Sequence, residues 1–197
     1  MRRIWIAALM ISALLLTGCG SSGAEEQFDA FRKSLEASGS VAVTAEVTAI
    51  SEEDVTVFTL SCTEAAEEYS IEVTAPELLS GVRAHLRQED AALEFDNIVL
   101  PMGALSDNGL SPLTALPCVL KAARGGYTDL VWTEDGKTVA QLILDDTTTV
   151  RLYLDDAGTP VYAELSVEDT TVIQCSILTW QQNERGVQNE SDNQNMG

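Results

Sequence analysis

Residues 130–144 form the stretch LVWTEDGKTVAQLIL, which determines the fold class. Asp135-Gly136 is typical of a tight hairpin turn, and it lies between two β-rich segments, Leu130–Thr133 and Thr138–Leu144. Similar turn signals recur about every 11 residues, at Asp145-Asp146, Asp155–Gly158 and Glu168-Asp169. Short connections at this spacing predict consecutive antiparallel strands, a meander that ends near Trp180.

The first half of the chain predicts one helix followed by about five strands. Phe28, Phe31 and Leu35 recur at helical spacing within residues 24–38. Alternating apolar and polar residues then predict strands at Val41–Thr48, Val55–Cys62, Tyr69–Thr74, Val82–Arg87 and Leu93–Leu100.

A different pattern separates these strands from the meander. Pro101–Gly109 is predicted as a loop, and Ser111-Pro112 is a good helix start, with serine as cap and proline at the first helical position. Pro117 is expected to break or kink that helix, which ends near residue 124. The fold class is therefore α+β and mostly β, with an antiparallel sheet, an N-terminal helix and a helical insertion before the C-terminal meander.

The N-terminal segment predicts export and lipid attachment. Residues 1–18 combine Arg2 and Arg3 with an apolar run, as in a signal peptide. Leu16-Thr17-Gly18-Cys19 resembles a bacterial lipobox, which implies a diacylglyceryl group on Cys19, cleavage before it, and N-terminal acylation by a fatty acid such as palmitate. The alternatives are an ordinary secretory signal or an uncleaved anchor.

This reading divides the chain into four parts. Residues 1–18 are the signal peptide, residues 19–25 are the lipidated cysteine and a flexible spacer, residues 26–180 are the β domain, and residues 181–197 are predicted to be a disordered polar tail because Asn and Gln dominate there. The expected location is the extracytoplasmic face of the membrane.

The net charge of −20 argues against a nucleic-acid partner, since phosphate binding requires clustered Lys and Arg. The same charge is repelled by anionic headgroups, so the lipid is expected to tether the domain without laying it on the bilayer. Beyond Cys19 three cysteines remain: Cys62, Cys118 and Cys175. Cys62 and Cys175 fall in predicted strands and pair if those strands are close neighbours; the alternative is buried free thiols.

The sequence contains no Gly-x-Ser-x-Gly, phosphate-loop or His-Glu-x-x-His motif. We therefore predict no catalytic residue, no metal site and no cofactor. His85 is the single histidine, and as strand it shares a face with Arg83 and Arg87. This face is a candidate contact for an anionic headgroup; the alternative is cross-strand pairing with acids such as Glu94 or Asp96. The paired acids of the turns lack EF-hand spacing and are interpreted as solvated turn residues.

Two further stretches carry a resemblance to a known family. Residues 69–82, YSIEVTAPELLSGV, are followed by residues 93–100, LEFDNIVL. With the lipobox, first helix, sheet, insertion and meander, they resemble the LolA/LolB-like lipoprotein-carrier superfamily over about residues 26–180. The likeness is greatest to lipid-anchored LolA-like proteins of Gram-positive anaerobes. It implies a strongly curved sheet, an incomplete β-barrel, whose apolar concave face is partly plugged by helices and binds acyl chains.

Under this resemblance, aromatic and leucine side chains are candidates to line the apolar hollow: Phe58, Phe95, Leu113, Leu116, Leu120, Trp132, Tyr153 and Trp180. The alternative for them is ordinary core packing. We therefore expect a non-enzymatic, membrane-anchored envelope lipoprotein that binds a lipid or acyl chain, including that of another lipoprotein. The alternative is a solidly packed envelope interaction protein or scaffold without a small-molecule ligand, whose protein partner the sequence does not identify.

Overall fold

The computed structural model describes residues 21–51, 54–87, 90–95, 98–103 and 110–184. Helix α1 covers Ser21–Ala37 and helix α2 covers Pro112–Gly125. The strands before α2 are β1 (Ser38–Ile50), β2 (Val55–Ala65), β3 (Glu68–Ala75), β4 (Arg83–Arg87), β5 (Asp90–Phe95) and β6 (Ile98–Gly103). Those after it are β7 (Tyr127–Glu134), β8 (Lys137–Ile143), β9 (Thr148–Leu154), β10 (Pro160–Val167) and β11 (Thr170–Glu184).

All eleven described strands belong to one antiparallel sheet in the order β6-β5-β4-β3-β2-β1-β11-β10-β9-β8-β7. Consecutive strands are neighbours, and β1 pairs with β11, which joins the two halves of the chain. The sheet is open, with β6 and β7 at its edges. This architecture confirms the predicted fold class, and β7–β11 confirm the predicted meander.

The two faces of the sheet differ in burial. Alternate residues of β1, from Val41 to Val47, are 0–2% exposed and pack against the helices, which defines the inner face. The inner face continues through Leu152 and Ala163 on the strands of the meander. On α1, Phe28, Phe31 and Leu35 belong to the same core.

Helix α2 lies across the inner face and is one continuous helix. It packs against β1, β2 and β8–β11 and buries eight residues, including Leu116 and Leu120. Ser111 caps it, since its side chain accepts from the Thr114 backbone amide, which confirms the predicted start. The predicted break at Pro117 is wrong, because burial of the helix outweighs the lost hydrogen bond.

The segment Leu93–Leu100 is a hairpin, whereas the sequence predicted a single strand. Phe95 and Ile98 face each other across β5 and β6. Strand β6 continues to Gly103, so Pro101 belongs to a strand instead of the predicted loop. Proline is tolerated there because β6 is an edge strand with one unpaired side.

The last strand extends further than predicted. Residues 181–184 continue β11 and pair with the start of β1, where the sequence predicted a disordered tail. Backbone pairing does not require apolar side chains, and Gln182 also accepts a hydrogen bond of 2.8 Å from Ser34 Oγ on α1. The remaining tail, 185–197, lies outside the described residues, as do the predicted signal segment and Cys19. No helix among the described ranges has the length and apolarity to cross a membrane.

Candidate functional site

The three candidate headgroup residues lie on the outer face of β4, away from the hollow. Their neighbours Ala84 and Leu86 are the residues that face the core. Each side chain faces a glutamate on an adjacent strand: Arg83 pairs with Glu72, His85 with Glu94 and Arg87 with Glu68. The nitrogen–oxygen distances are 3.4 Å for Arg83–Glu72 and 3.5 Å for His85–Glu94. Cross-strand pairing, the alternative given above, therefore describes this face.

The candidate lining residues do not converge on one cavity. Leu116 and Leu120 are buried in the core under α2, and Phe58, Leu113 and Trp180 pack at its margin. Phe95 is 52% exposed at the end of β5.

Trp132 and Tyr153 lie on the outer face of the sheet. Their strand register places Val139 between them, while Leu152 and Leu154 on either side of Tyr153 face the core. Tyr153 stacks edge-on against Tyr162 at 5.3 Å between ring centroids. Trp132 and Tyr153 therefore shield Val139, which is fully buried, from solvent on the outer face.

The helices cover the inner face unevenly. On β8–β11 the inward side chains, such as Leu142, Leu152 and Leu165, are completely buried. Helix α2 packs mainly against β1, β2 and β8–β11. Strands β3–β5 therefore lie beside the helix and are largely not covered by it.

On β3–β5 the inward side chains form a partly uncovered apolar strip, which we call the trough: Tyr69, Leu86, Leu93 and Phe95. Tyr69 lies directly opposite Leu86, and Ala84 pairs with Leu93, so these side chains are neighbours. Ile71 and Ala84, both buried, form its floor. A surface of this kind takes up apolar ligand atoms, at ~0.8 kcal/mol per buried methylene.

A buried ion pair fixes α2 beside the trough. Arg124 Nε donates to both carboxylate oxygens of Glu64 at 2.8 and 2.9 Å, and its guanidinium also bonds to the Leu35 carbonyl and to Ser38 Oγ. Glu64 is 6% exposed. Sequence analysis missed this pair, because Glu64 lies beyond the end of the predicted strand Val55–Cys62, whereas β2 continues to Ala65.

Burial controls the ionisation of the groups around this pair. Burial, followed by the charge of Glu64 and the proximity of Cys62, raises the pKa of Tyr69 to about 12. Burial and Glu64 raise the pKa of the Cys62 thiol to about 12 as well. All three cysteines of the described chain are free thiols, and the proposed Cys62–Cys175 bridge is not formed. In the register these two face Val43 and Val47, four residues apart along β1.

One end of the sheet exposes most of the large apolar side chains. Ten large apolar side chains are exposed among the described residues, and eight of them lie at the end of the sheet where β1 meets β2, β3 meets β4 and β5 meets β6, or at the adjoining ends of β7 and β8. These eight are Val55, Val57, Leu78, Leu79, Phe95, Ile98, Tyr127 and Ile143. We call this surface the apolar end. Phe95 belongs to both surfaces, so the trough reaches the apolar end.

Comparison with known proteins gives a distant likeness in fold. Neither a protein-family model nor a curated protein matches the chain. A LolA superfamily protein from Nitrosomonas europaea is similar over 85% of this chain and 96% of its own, with 10% identity and a TM-score of 0.44. LprF from Mycobacterium bovis is similar over 83% and 95%, with 13% identity and a TM-score of 0.42.

A third similar structure is the CwlD amidase from Clostridioides difficile in complex with the GerS lipoprotein, over 75% of this chain and 91% of that one, with 18% identity and a TM-score of 0.35. At these values the likeness does not extend to individual residues. The function of this chain must therefore be inferred from its own side chains.

In the described part of the chain, no group of three or more His, Cys, Asp or Glu side chains is arranged to hold a metal ion. The turn acids serve the backbone instead: Asp145 Oδ1 accepts from the amides of Thr147 and Thr148 at 2.9 and 2.8 Å. This is the solvated-turn role that the sequence predicted for them.

Proposed function

We propose that this chain is a lipid-anchored envelope protein that binds one acyl chain in the trough. The anchor is the lipobox cysteine Cys19, and the binding role is non-enzymatic. The observation that supports the proposal is the uneven covering of the inner face, which leaves Tyr69, Leu86 and Leu93 partly exposed beside a fully packed core. The single histidine, His85, lies on the other face and is paired with Glu94.

An acyl chain enters beside α2, without displacement of the helix. Lifting α2 would expose eight buried residues and separate Arg124 from Glu64, and breaking one such buried pair alone costs ~3–5 kcal/mol. The open side of the trough, at Phe95, provides a path that breaks none of these contacts.

The test is the titration of unlipidated mature chain, residues 20–197, with a fluorescent fatty acid such as cis-parinaric acid. We expect saturable binding at one site and at least tenfold weaker binding for Leu86→Gln, since it places an amide in the apolar strip. Leu130→Gln is the matched control, because Leu130 is 56% exposed on β7, outside the trough. Lack of saturable binding, or equal loss in both variants, would contradict the proposal.

The anchor is tested separately by mass spectrometry of the mature chain from its native host. We expect the mass of residues 19–197 plus the acyl groups on Cys19. An unmodified Cys19 would refute the anchor and leave the trough proposal untouched.

The apolar end favours a second candidate, an interaction protein that docks an envelope partner. Its turns carry acidic residues and neither Lys nor Arg: Asp54, Glu77, Asp145, Asp146, Glu168 and Asp169. This charge favours a partner that surrounds apolar side chains with Lys and Arg. In the native host, Leu78→Ser/Ile98→Ser should abolish a cross-linked complex that Leu178→Ser preserves; retention in both variants would contradict docking at this end.

A further inference from the structure

A cleft of 410 Å³ opens between α1 and the turn that joins β9 to β10. In the strand order, β9 and β10 lie on the other side of β1 from the strands of the trough. Ten residues line it: Gln27, Ala30, Phe31, Ser34, Ala157, Gly158, Thr159, Pro160, Trp180 and Gln182. Its volume falls within the range of small-molecule sites, roughly 300–1,000 Å³.

The apolar part of the cleft is an aromatic pair. The rings of Phe31 and Trp180 are 5.8 Å apart between centroids and inclined by 54°. Trp180, a predicted member of the acyl hollow, thus lies beside this separate cleft. Indole and phenyl rings present flat, apolar surfaces on which the C–H face of a ring-shaped ligand packs.

The polar walls are fixed before any ligand arrives. Gln27 Nε2 donates to the carbonyls of Asp155 and Asp156 at 2.9 and 3.2 Å, while Gln27 Oε1 accepts from Thr138 Oγ1. These bonds tie α1 to the β9–β10 turn. A wall held in this way loses little conformational entropy on binding.

Hydrogen-bonding capacity in the cleft exceeds what the protein uses. The Trp180 indole N–H is buried, has no acceptor within the described chain and is closed to a ligand, so it does not add to this capacity. Gln182 uses its Oε1 to accept from Ser34, which leaves its amide nitrogen for a ligand. A ligand acceptor that bonds to this amide nitrogen replaces the water that it loses on binding.

The cleft is also electrically neutral. None of its ten lining side chains carries a charge, although the chain as a whole has a net charge of −20. A charged ligand would find no counter-ion here, and an acyl chain would leave the amide nitrogen of Gln182 unpaired. A neutral ligand with many hydroxyl groups and one apolar face satisfies both the rings and the donors.

From this combination we propose that the α1 cleft binds a neutral oligosaccharide, with one sugar ring against Trp180 and hydroxyl groups on Gln182 and Thr159. This site is independent of the acyl-binding trough. An extracytoplasmic protein with both sites would hold a lipid and a surface glycan at the same time.

Trp180 reports directly on this site. In the mature chain, residues 20–197, Trp132→Phe leaves Trp180 as the sole tryptophan. We expect chitotetraose or maltotetraose to cause a saturable change in its fluorescence, with a stoichiometry of one by calorimetry. Gln182→Leu should weaken that binding at least tenfold, because it removes an amide donor.

Gln174→Leu is the matched control, since Gln174 lies on the same strand β11 and faces outward between buried Ile173 and Cys175. Unchanged affinity in this control supports the proposal. It is overturned if neither saccharide binds up to 10 mM, if both variants lose affinity equally, or if decanoic acid displaces the saccharide. The Leu86→Gln variant should keep saccharide binding, which separates this result from a failure of the trough.

Discussion

Arg124 is the polar side chain to which we assign the largest contribution to the stability of the fold. Its Arg124→Met variant leaves the carboxylate of Glu64 buried without a partner, and we expect a loss of about 3–5 kcal/mol in the free energy of unfolding. The double variant Glu64→Leu/Arg124→Met removes both charges and should recover most of that loss. Urea unfolding followed by circular dichroism measures both; a double variant as unstable as the sum of the singles would contradict the buried-pair interpretation.

Cys62 gives the chain a dependence on alkaline pH. Burial and the charge of Glu64 raise the pKa of its thiol to about 12 in the folded state, against about 8.5 in an unfolded chain. The folded state therefore retains the proton more strongly, so its contribution to stability is complete below about pH 8.5 and is lost as the pH rises toward 12. We expect Cys62→Ala to lose less stability than the native chain between pH 8 and 10.5 in urea titrations. Parallel curves for the two proteins would contradict this prediction.

Helix α2 depends on its cap. Ser111 accepts from the Thr114 amide at 3.3 Å, and Thr114 Oγ1 accepts from the Ser111 amide at 2.8 Å. Ser111→Ala should reduce the free energy of unfolding by about 1 kcal/mol, and Ser111→Asp should retain most of it, since aspartate also caps helices. Thermal and urea unfolding check both; equal losses would mean that packing alone fixes the helix start.

Periodicity predicted the elements well because it follows from local geometry. The Asp135-Gly136 turn has positive φ at both residues, as the hairpin signal required. Sequence analysis predicted Leu93–Leu100 as one strand because apolar residues occur on both sides of Asp96-Asn97, whereas the structure has two paired strands, β5 and β6. A local pattern also identifies the start of α2, but it does not show whether packing against the sheet stabilises the helix beyond Pro117.

The candidate sites were harder to predict, because alternation shows which residues share a face but not which face meets the helices. Arg83, His85 and Arg87 do share a face, as predicted, but it is the outer one. The resemblance made Trp132 and Tyr153 candidates for the hollow, whereas their strand register puts them on the outer face. The Glu64–Arg124 pair spans 60 residues, a separation at which no sequence period carries information.

At the scale of the whole molecule, charge opposes compactness. The net charge of −20 places like charges throughout the surface, and the described ion pairs of β4 are exposed and contribute little. Salt at 0.1 M largely screens the repulsion between exposed charges that are more than about 10 Å apart. We therefore expect the melting temperature to rise by a few degrees between 20 and 500 mM NaCl, as measured by calorimetry of the mature chain.

The charge-reduced variant Glu77→Lys/Asp146→Lys separates screening from general salt effects. Both acids lie in exposed turns of the acidic, apolar end and make no ion pair within the described chain, so their reversal removes repulsion without breaking an ion pair. It should melt higher than the native chain at 20 mM NaCl and respond less to added salt. If both proteins gained equally, screening would not be the cause. Repulsion of this strength also disfavours docking of a second copy at the apolar end, and it leaves a basic partner as the favoured occupant of that surface.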